Sequence, residues 1–290
     1  MAGETFDRAA EDLGNITHLE HVNVRVPDQQ LATQFYVVAL GGTRDPYLMV
    51  GLDNMWVNFG HSQFHLPTAK AQVLRGVTGL TIPDFDELGN RLSMAAEKLK
   101  GTKYTYTVAN DHADVTCPWG NRMRFYAPGP QFGDLTLGML AVESPVPLGH
   151  AAGIARFYET VMQAPATVTP NGEGSVARVK VGPRQELVFR ETGAEIPAYD
   201  GHHIAIYITD FSGTQRRLGQ RRLISEESNE YQYRFKDIVD PDSGEHLFTL
   251  EHEVRCYTHP MFLRTLVNRN PAQRQPTYQA GRDAFVPGMA

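Results

Sequence analysis

The stretch HVNVRVPDQQLATQFYVVALGG (21–42) shows the unit from which the chain is built. Its first six residues alternate between polar side chains and valines, which is typical of a strand with one buried face. A Pro-Asp turn follows, and the residues after it have the apolar periodicity of an amphipathic helix. The stretch therefore predicts a strand, a tight turn and a helix that packs against the valine face.

The same unit recurs three more times along the chain, and short segments with period-two alternation follow each copy, such as SQFHLP (62–67). We expect opening strands at 21–26, 77–82, 140–146 and 203–209, with helices near 29–40, 85–100, 149–163 and 211–222. The repeated order predicts four βαβββ modules, two in each half of the chain.

Four short signatures accompany the modules: HVNVRVPD (21–28), CPWGNRMRFYAP (117–128), GHHIAIYITD (201–210) and VDPDSGEHLFTLE (239–251). With their order, they make residues 16–253 resemble the vicinal oxygen chelate superfamily, which includes glyoxalases, bleomycin resistance proteins and extradiol dioxygenases. The resemblance implies an α+β fold of two tandem domains. Each domain would contain two βαβββ modules that form a curved sheet around a cavity.

The chain divides into four predicted segments. These are an N-terminal extension at 1–15, a first domain at 16–130, a second domain at 134–253 and a C-terminal tail at 254–290. The tail contains five arginines, one acidic residue and apolar side chains such as Phe262, on a chain whose net charge is −6. Because a basic, partly apolar segment is attracted to an acidic body, we expect the tail to pack on the two domains.

Composition excludes several classes of function. The 290 residues are 41% hydrophobic and 21% charged, which is ordinary for a globular protein with a sizeable core. No apolar run approaches the length of a membrane span, and the acidic N-terminus is unlike a signal peptide, so we expect a cytoplasmic protein.

The two cysteines and the charged residues bear on the partners of the protein. Cys117 and Cys256 have neither the spacing of a disulfide framework nor that of a metal-binding knuckle. The 21 arginines and 6 lysines are scattered among 33 acidic residues, which predicts no nucleic-acid partner. A small molecule is the expected partner, and a homodimer is allowed.

The resemblance also implies where a metal would bind, because the family takes one ligand from the first strand of each module and one, usually Glu, from a late strand. At these eight positions the chain has His21, His65, Val77, Arg124, Ala141, Val188, His203 and Phe248. Valine and phenylalanine cannot ligate a cation, and arginine repels one. We therefore expect that neither half binds a divalent ion through the usual set of ligands.

Strand alternation predicts the residues that line a cavity in the N-terminal half. His21, His65 and Arg124 lie on polar strand faces, and we interpret them, together with Tyr207, as candidate catalytic residues. Candidate substrate-binding residues on the same faces are Asn23, Arg25, Gln63 and Arg122. Because arginine binds carboxylate or phosphate without a metal, this cavity is expected to prefer anions.

A non-standard metal site is an alternative in the C-terminal half. His203, His246 and Glu143 form a set of two histidines and one carboxylate, which suits non-haem iron. A one-residue shift in the register of EHLFTLEHEV would present Glu251 and Glu253 instead of the histidines of that segment. A third interpretation is that the histidines are hydrogen-bonded interior residues without a ligand.

Two classes of function therefore remain open. The first is a glyoxalase- or dioxygenase-type enzyme, a lyase, isomerase or ring-cleaving oxygenase, that acts on a small polar or aromatic molecule with adjacent oxygens. Its cofactor would be a divalent ion, Fe, Mn, Zn or Ni, at a degenerate version of the usual site. The second is a metal-independent binding or resistance protein that uses Arg25, Arg122 and Arg124 for an anion. Stoichiometric metal would favour the first class, and ligand binding that survives chelation would favour the second.

Overall fold

A computed structural model describes residues 7–48, 53–264 and 266–268, which form sixteen strands. The first module contains β1 (Ile16–Asn23), β2 (Thr43–Arg44), β3 (Asn54–Phe59) and β4 (Ser62–Pro67). The second contains β5 (Val77–Thr81), β6 (Thr105–Val108), β7 (Ala113–Thr116) and β8 (Arg122–Tyr126). The third contains β9 (Gly138–Pro147), β10 (Ala166–Asn171), β11 (Gly174–Gly182) and β12 (Gln185–Thr192). The fourth contains β13 (His203–Ile208), β14 (Ile224–Asn229), β15 (Gln232–Val239) and β16 (His246–Arg255).

One helix follows the opening strand of each module. The helices are α1 (Gln29–Ala32), α2 (Phe85–Ala95), α3 (Ala151–Phe157) and α4 (Phe211–Gln220). A π-helical segment continues α1 at Thr33–Ala39, and another continues α3 at Tyr158–Met162. The aspartate of the repeated turn caps two of them, since Asp28 accepts the backbone N–H groups of Gln30 and Leu31, and Asp210 accepts that of Gly213. Among the described residues, none of the helices is long and apolar enough to cross a membrane.

The strands form two eight-stranded sheets, and these join different modules from those we expected. One sheet has the order β14-β15-β16-β13-β1-β4-β3-β2, and the other has the order β10-β11-β12-β9-β5-β8-β7-β6. The α+β architecture with two sheets is confirmed, but the expectation that consecutive modules share a sheet is wrong. The first module pairs with the fourth and the second with the third, through antiparallel contacts between β1 and β13 and between β5 and β9. Alternation fixes which face of a strand is buried but not which strand lies beside it, so the two segments 16–130 and 134–253 each contribute to both sheets.

Each sheet has an apolar face under the helices and a polar face opposite. In the first sheet Val22, Phe64 and Ile204 are almost completely buried in the core. Their neighbours in sequence, among them His21 and His65, therefore point to the other face. The polar face of the first sheet is the surface on which the candidate site lies.

The described part of the C-terminal segment lies against the first sheet. Arg264 donates to the carboxylate of Asp45 at 2.9 Å and to the amide oxygen of Gln63 at 3.0 Å, and Asp45 is completely buried. Phe262 packs on Tyr207 with their ring centroids 5.0 Å apart. The first two residues of the predicted tail belong to β16, and Leu263 in the tail is 84% exposed. Residues 265 and 269–290 lie outside the described part.

Acid should loosen this segment through His259. Burial, together with the nearby Arg255, lowers the pKa of His259 to about 4. The ring nitrogen Nδ1 accepts the backbone N–H of Met261 at 3.1 Å, which protonation would abolish. A histidine whose folded-state pKa is lowered stabilises the folded form above its unfolded pKa, so the contribution is lost as the pH falls from about 6.5 to about 4. Amide hydrogen exchange in 256–264, corrected for intrinsic rates, should accelerate over that range.

The substitution His259→Gln supplies the matched control, because glutamine can accept the same hydrogen bond but does not titrate in this range. Exchange in this variant should change little between pH 6.5 and 4. An equal acceleration in the variant would assign the pH dependence to another group.

Candidate metal centre

Three histidines from three adjacent strands converge on the polar face of the first sheet. They are His21 on β1, His65 on β4 and His203 on β13, and one ring nitrogen of each lies within 4.8 Å of the others. The register of the sheet produces this arrangement, since Asn23 pairs with His65 on one side and with His203 on the other. The three histidines were predicted to lie in two separate halves, and the pairing of the first and fourth modules brings them together.

The free nitrogens of these rings are suited to a cation. The Nε2 atoms of His21, His65 and His203 are buried and have no hydrogen-bond partner among the described residues. A buried polar atom without a partner costs free energy, and a single cation bound by all three Nε2 atoms would offset that cost. Burial lowers the pKa of His65 to about 2, with His21 and His203 adding to the effect, and burial also lowers the pKa of His203. The rings of His65 and His203 are therefore neutral at physiological pH, as metal binding requires.

Glu253 lies beside this group of three histidines. Its Oε2 atom lies 3.4 Å from His203 Nε2, and its side chain is 4% exposed. Burial works to raise the pKa of Glu253, but His203, His21 and Arg255 together hold it below its usual value, so the group is a carboxylate. Glu253 also occupies the position in its strand pair that His65 occupies in the other. His21 pairs with Gln63, two residues before His65, and His203 pairs with Glu251, two residues before Glu253.

The second ring nitrogen of each histidine faces a group that orients it. Glu20 Oε2 lies 2.8 Å from His21 Nδ1, the amide of Asn23 lies 2.6 Å from His65 Nδ1, and Glu251 Oε1 lies 3.6 Å from His203 Nδ1. Trp56 stacks on His65 with the ring centroids 3.8 Å apart. A break in the register of β1 between Leu19 and His21 places Glu20 beside His21. Such outer contacts fix the orientation of histidine ligands.

One buried arginine, Arg255, and one partly buried arginine, Arg234, balance the carboxylates of the site. Arg255 bridges Glu20 and Glu253, and Arg234 binds both Glu251 and Glu253. Burial works to raise the pKa of Glu20, but Arg255 and then His21 lower it to about 2. The centre is therefore a preorganised network of charges in which every carboxylate has a cationic neighbour.

The structure separates Arg124 from the two histidines with which we grouped it. Arg124 lies on β8 in the second sheet, where it forms two hydrogen bonds with Asp114 at 2.7 and 2.9 Å. The expectation of a cavity shared with His21 and His65 is wrong, because the second module pairs with the third rather than with the first.

The grouping of His203 with His246 and Glu143 is also corrected. His246 is exposed and hydrogen-bonds to Thr249, and Glu143 lies in the second sheet. On β16 the alternative register holds, since Glu251 pairs with His203. The residue at the closing position is accordingly Glu253 and not the predicted Phe248, which is buried in the core.

The remaining candidates are divided between the two sheets. Asn23 and Gln63 lie beside the histidines, and Gln63 Nε2 donates to Asp45. Tyr207 is buried, and its hydroxyl donates to Glu20 at 3.4 Å. Arg25 and Arg122 are exposed, with Arg122 in the second sheet.

No family profile and no curated protein sequence matches this chain. Solved structures do match. Glyoxalase I from Zea mays is 14% identical with a TM-score of 0.57, and the match covers 83% of this chain and 92% of that one. A putative dioxygenase from Bacillus subtilis is 15% identical with a TM-score of 0.54, and the match covers 84% of this chain and 86% of that one. The chain therefore has the fold of the vicinal oxygen chelate proteins.

Proposed function

We propose that this chain, on its vicinal oxygen chelate fold, is a divalent-metal-dependent enzyme of the glyoxalase type, a redox-neutral lyase or isomerase. Its substrate would be a small molecule with two adjacent oxygens. The observation that carries the proposal is the convergence of His21, His65 and His203, whose Nε2 atoms are buried and form no hydrogen bond with the described residues.

The residues that would hold the ion are the three histidines and Glu253. Imidazole nitrogens with one carboxylate suit zinc, nickel, iron or cobalt better than the hard cations magnesium and calcium. When bound, such an ion would act as a Lewis acid toward the substrate oxygens. The neutral rings of His65 and His203 and the ionised Glu253 are in the forms that metal binding needs.

The number of ligands favours redox-neutral chemistry over ring cleavage. Non-haem iron oxygenases use two histidines and one carboxylate, which leaves room for dioxygen as well as substrate. A set of four protein ligands leaves room for two substrate oxygens and little more. With Glu253, His21 and His203 bound, His65 would be the fourth ligand, and its ring is held in place by Trp56 and Asn23.

Proton transfer at the site would fall to Glu251. Its side chain is 23% exposed, whereas those of Glu20 and Glu253 are 6% and 4% exposed. Arg234 Nη1 donates to Glu251 Oε1 at 2.6 Å and fixes the carboxylate on the polar face. Tyr207 touches Glu20 rather than the histidines, so it is a positioning residue for His21.

The test begins with metal analysis of the untagged protein. We expect about one equivalent of divalent metal for each chain. After chelation, reconstitution with Zn²⁺, Ni²⁺, Co²⁺, Fe²⁺ or Mn²⁺ should restore turnover of small α-hydroxycarbonyl compounds without consumption of dioxygen.

Two results would overturn the proposal. Cleavage of catechols with uptake of dioxygen would identify a ring-cleaving oxygenase. Failure of all five ions to bind would leave the metal-independent binding protein as the better description.

A further inference from the structure

The second sheet contains a counterpart of the metal centre that has lost every ligand. In β5 and β8, Val77 and Arg124 occupy the register positions of His21 and His65. In β9 and β12, Ala141 and Val188 occupy those of His203 and Glu253. None of the four side chains can ligate a cation, so any ligand of this face must be recognised differently.

A cavity of about 730 Å³ lies on this face. Its floor is small and apolar, because Val77, Gly79, Ala141 and Val188 line it. Phe132 adds an aromatic wall. The volume is within the range of small-molecule sites, and the floor suits an apolar body.

The rim of the cavity is basic in a chain that is acidic overall. The basic side chains that line it are Arg124, Arg178, Lys180, Arg184 and Arg190, and the acidic ones are Glu11, Glu143 and Glu186. The lining therefore carries a net charge of +2, against −6 for the whole chain. A concave basic surface of this kind concentrates small anions.

Two of the arginines are held rigidly with donors to spare. Arg190 uses Nε and Nη2 on Glu143, at 2.8 and 3.0 Å, and Arg124 uses the same two nitrogens on Asp114. In both arginines, the Nη1 group takes no part in this contact with the carboxylate. Because the guanidinium planes are already fixed, an incoming anion would lose little conformational entropy in binding them.

We propose that this cavity is a second, metal-independent binding site for a small organic carboxylate with an apolar or aromatic body. The carboxylate binds between Arg124 and Arg190, and the body lies on the floor formed by Ala141 and Val188. The site is separate from the metal centre and does not depend on its activity.

The test uses 2-naphthoate as the probe and the neutral 2-naphthamide as its isostere, measured by titration calorimetry in the presence of a chelator. We expect saturable binding of one naphthoate for each chain, with the amide at least tenfold weaker. The double substitution Arg124→Gln/Arg190→Gln should weaken naphthoate binding at least tenfold, while the exposed Arg216→Gln leaves it unchanged. Filling the floor with Ala141→Phe should abolish binding without altering metal content.

Several outcomes would overturn this proposal without touching the proposed function. Absence of naphthoate binding, equal affinity for the amide, or full affinity in the double variant would each do so. Loss of naphthoate binding in His203→Ala would place the probe at the metal centre instead.

Discussion

Replacement of His203 by alanine should lower the affinity for divalent metal by on the order of 100-fold or more, since loss of even an outer contact to a ligand costs 10–100-fold. The substitution removes one of the three buried Nε2 atoms and also the neighbour of Glu253. Metal content after dialysis against a weak chelator, and titration of the metal-free protein, measure the effect.

The matched control is His246→Ala. His246 lies on the neighbouring strand, is exposed and contacts Thr249 rather than the centre. Its loss should leave metal affinity unchanged. Full metal content in the His203 variant, or loss of metal in the His246 variant, would contradict the assigned ligands, and circular dichroism of both variants would show whether each remains folded.

The sequence predicts the faces of the strands well. Alternation places His21, His65 and His203 on polar faces, and the structure puts all three on the polar face of one sheet. The Pro-Asp turn at Asp84 was expected to cap the next helix, and Asp84 makes no side-chain cap hydrogen bond, whereas Asp28 and Asp210 cap theirs. These features are local, so a few neighbouring residues suffice to specify them.

Sheet pairing is where sequence analysis fails. The contact between β1 and β13 joins residues more than 180 positions apart, such as His21 and Ala205, and no local pattern specifies it. Because we expected the first module to pair with the second, we placed Arg124 in the site and did not place His203 there. The register of a strand is equally hard to predict, because a shift of one residue in β16 puts Glu253 instead of His252 on the polar face.

A regular pattern of alternation shows neither a break in register nor a histidine buried in the core. Glu20 reaches His21 because the register of β1 changes between Leu19 and His21. His252 is buried against Phe235, with ring centroids 4.3 Å apart, and its Nε2 accepts the hydroxyl of Tyr158 at 2.7 Å. A histidine inside the core resembles, in sequence alone, a histidine of the site.

The largest effect on stability should follow Arg255→Met. The Arg255 side chain is 5% exposed and lies between the carboxylates of Glu20 and Glu253, which are 6% and 4% exposed. Methionine fills a similar volume but leaves two buried carboxylates without this cation. Removing one partner of a buried ionic network typically costs about 3–5 kcal/mol, because the charges that remain are uncompensated. At roughly 2 °C or more for each kcal/mol, the melting temperature should fall by more than about 6 °C.

Two comparisons separate this burial effect from a simple loss of charge. Arg178→Met breaks an ion pair with Glu186 in which both side chains are more than 40% exposed, so it should change stability by less than about 1 kcal/mol. Adding Glu20→Gln to Arg255→Met removes one of the unpaired charges and should restore part of the lost stability. All variants are melted in the presence of a chelator, so that bound metal adds nothing to the folded state. Equal losses for Arg255→Met and Arg178→Met would show that the network beside the histidines is no more than a set of surface ion pairs.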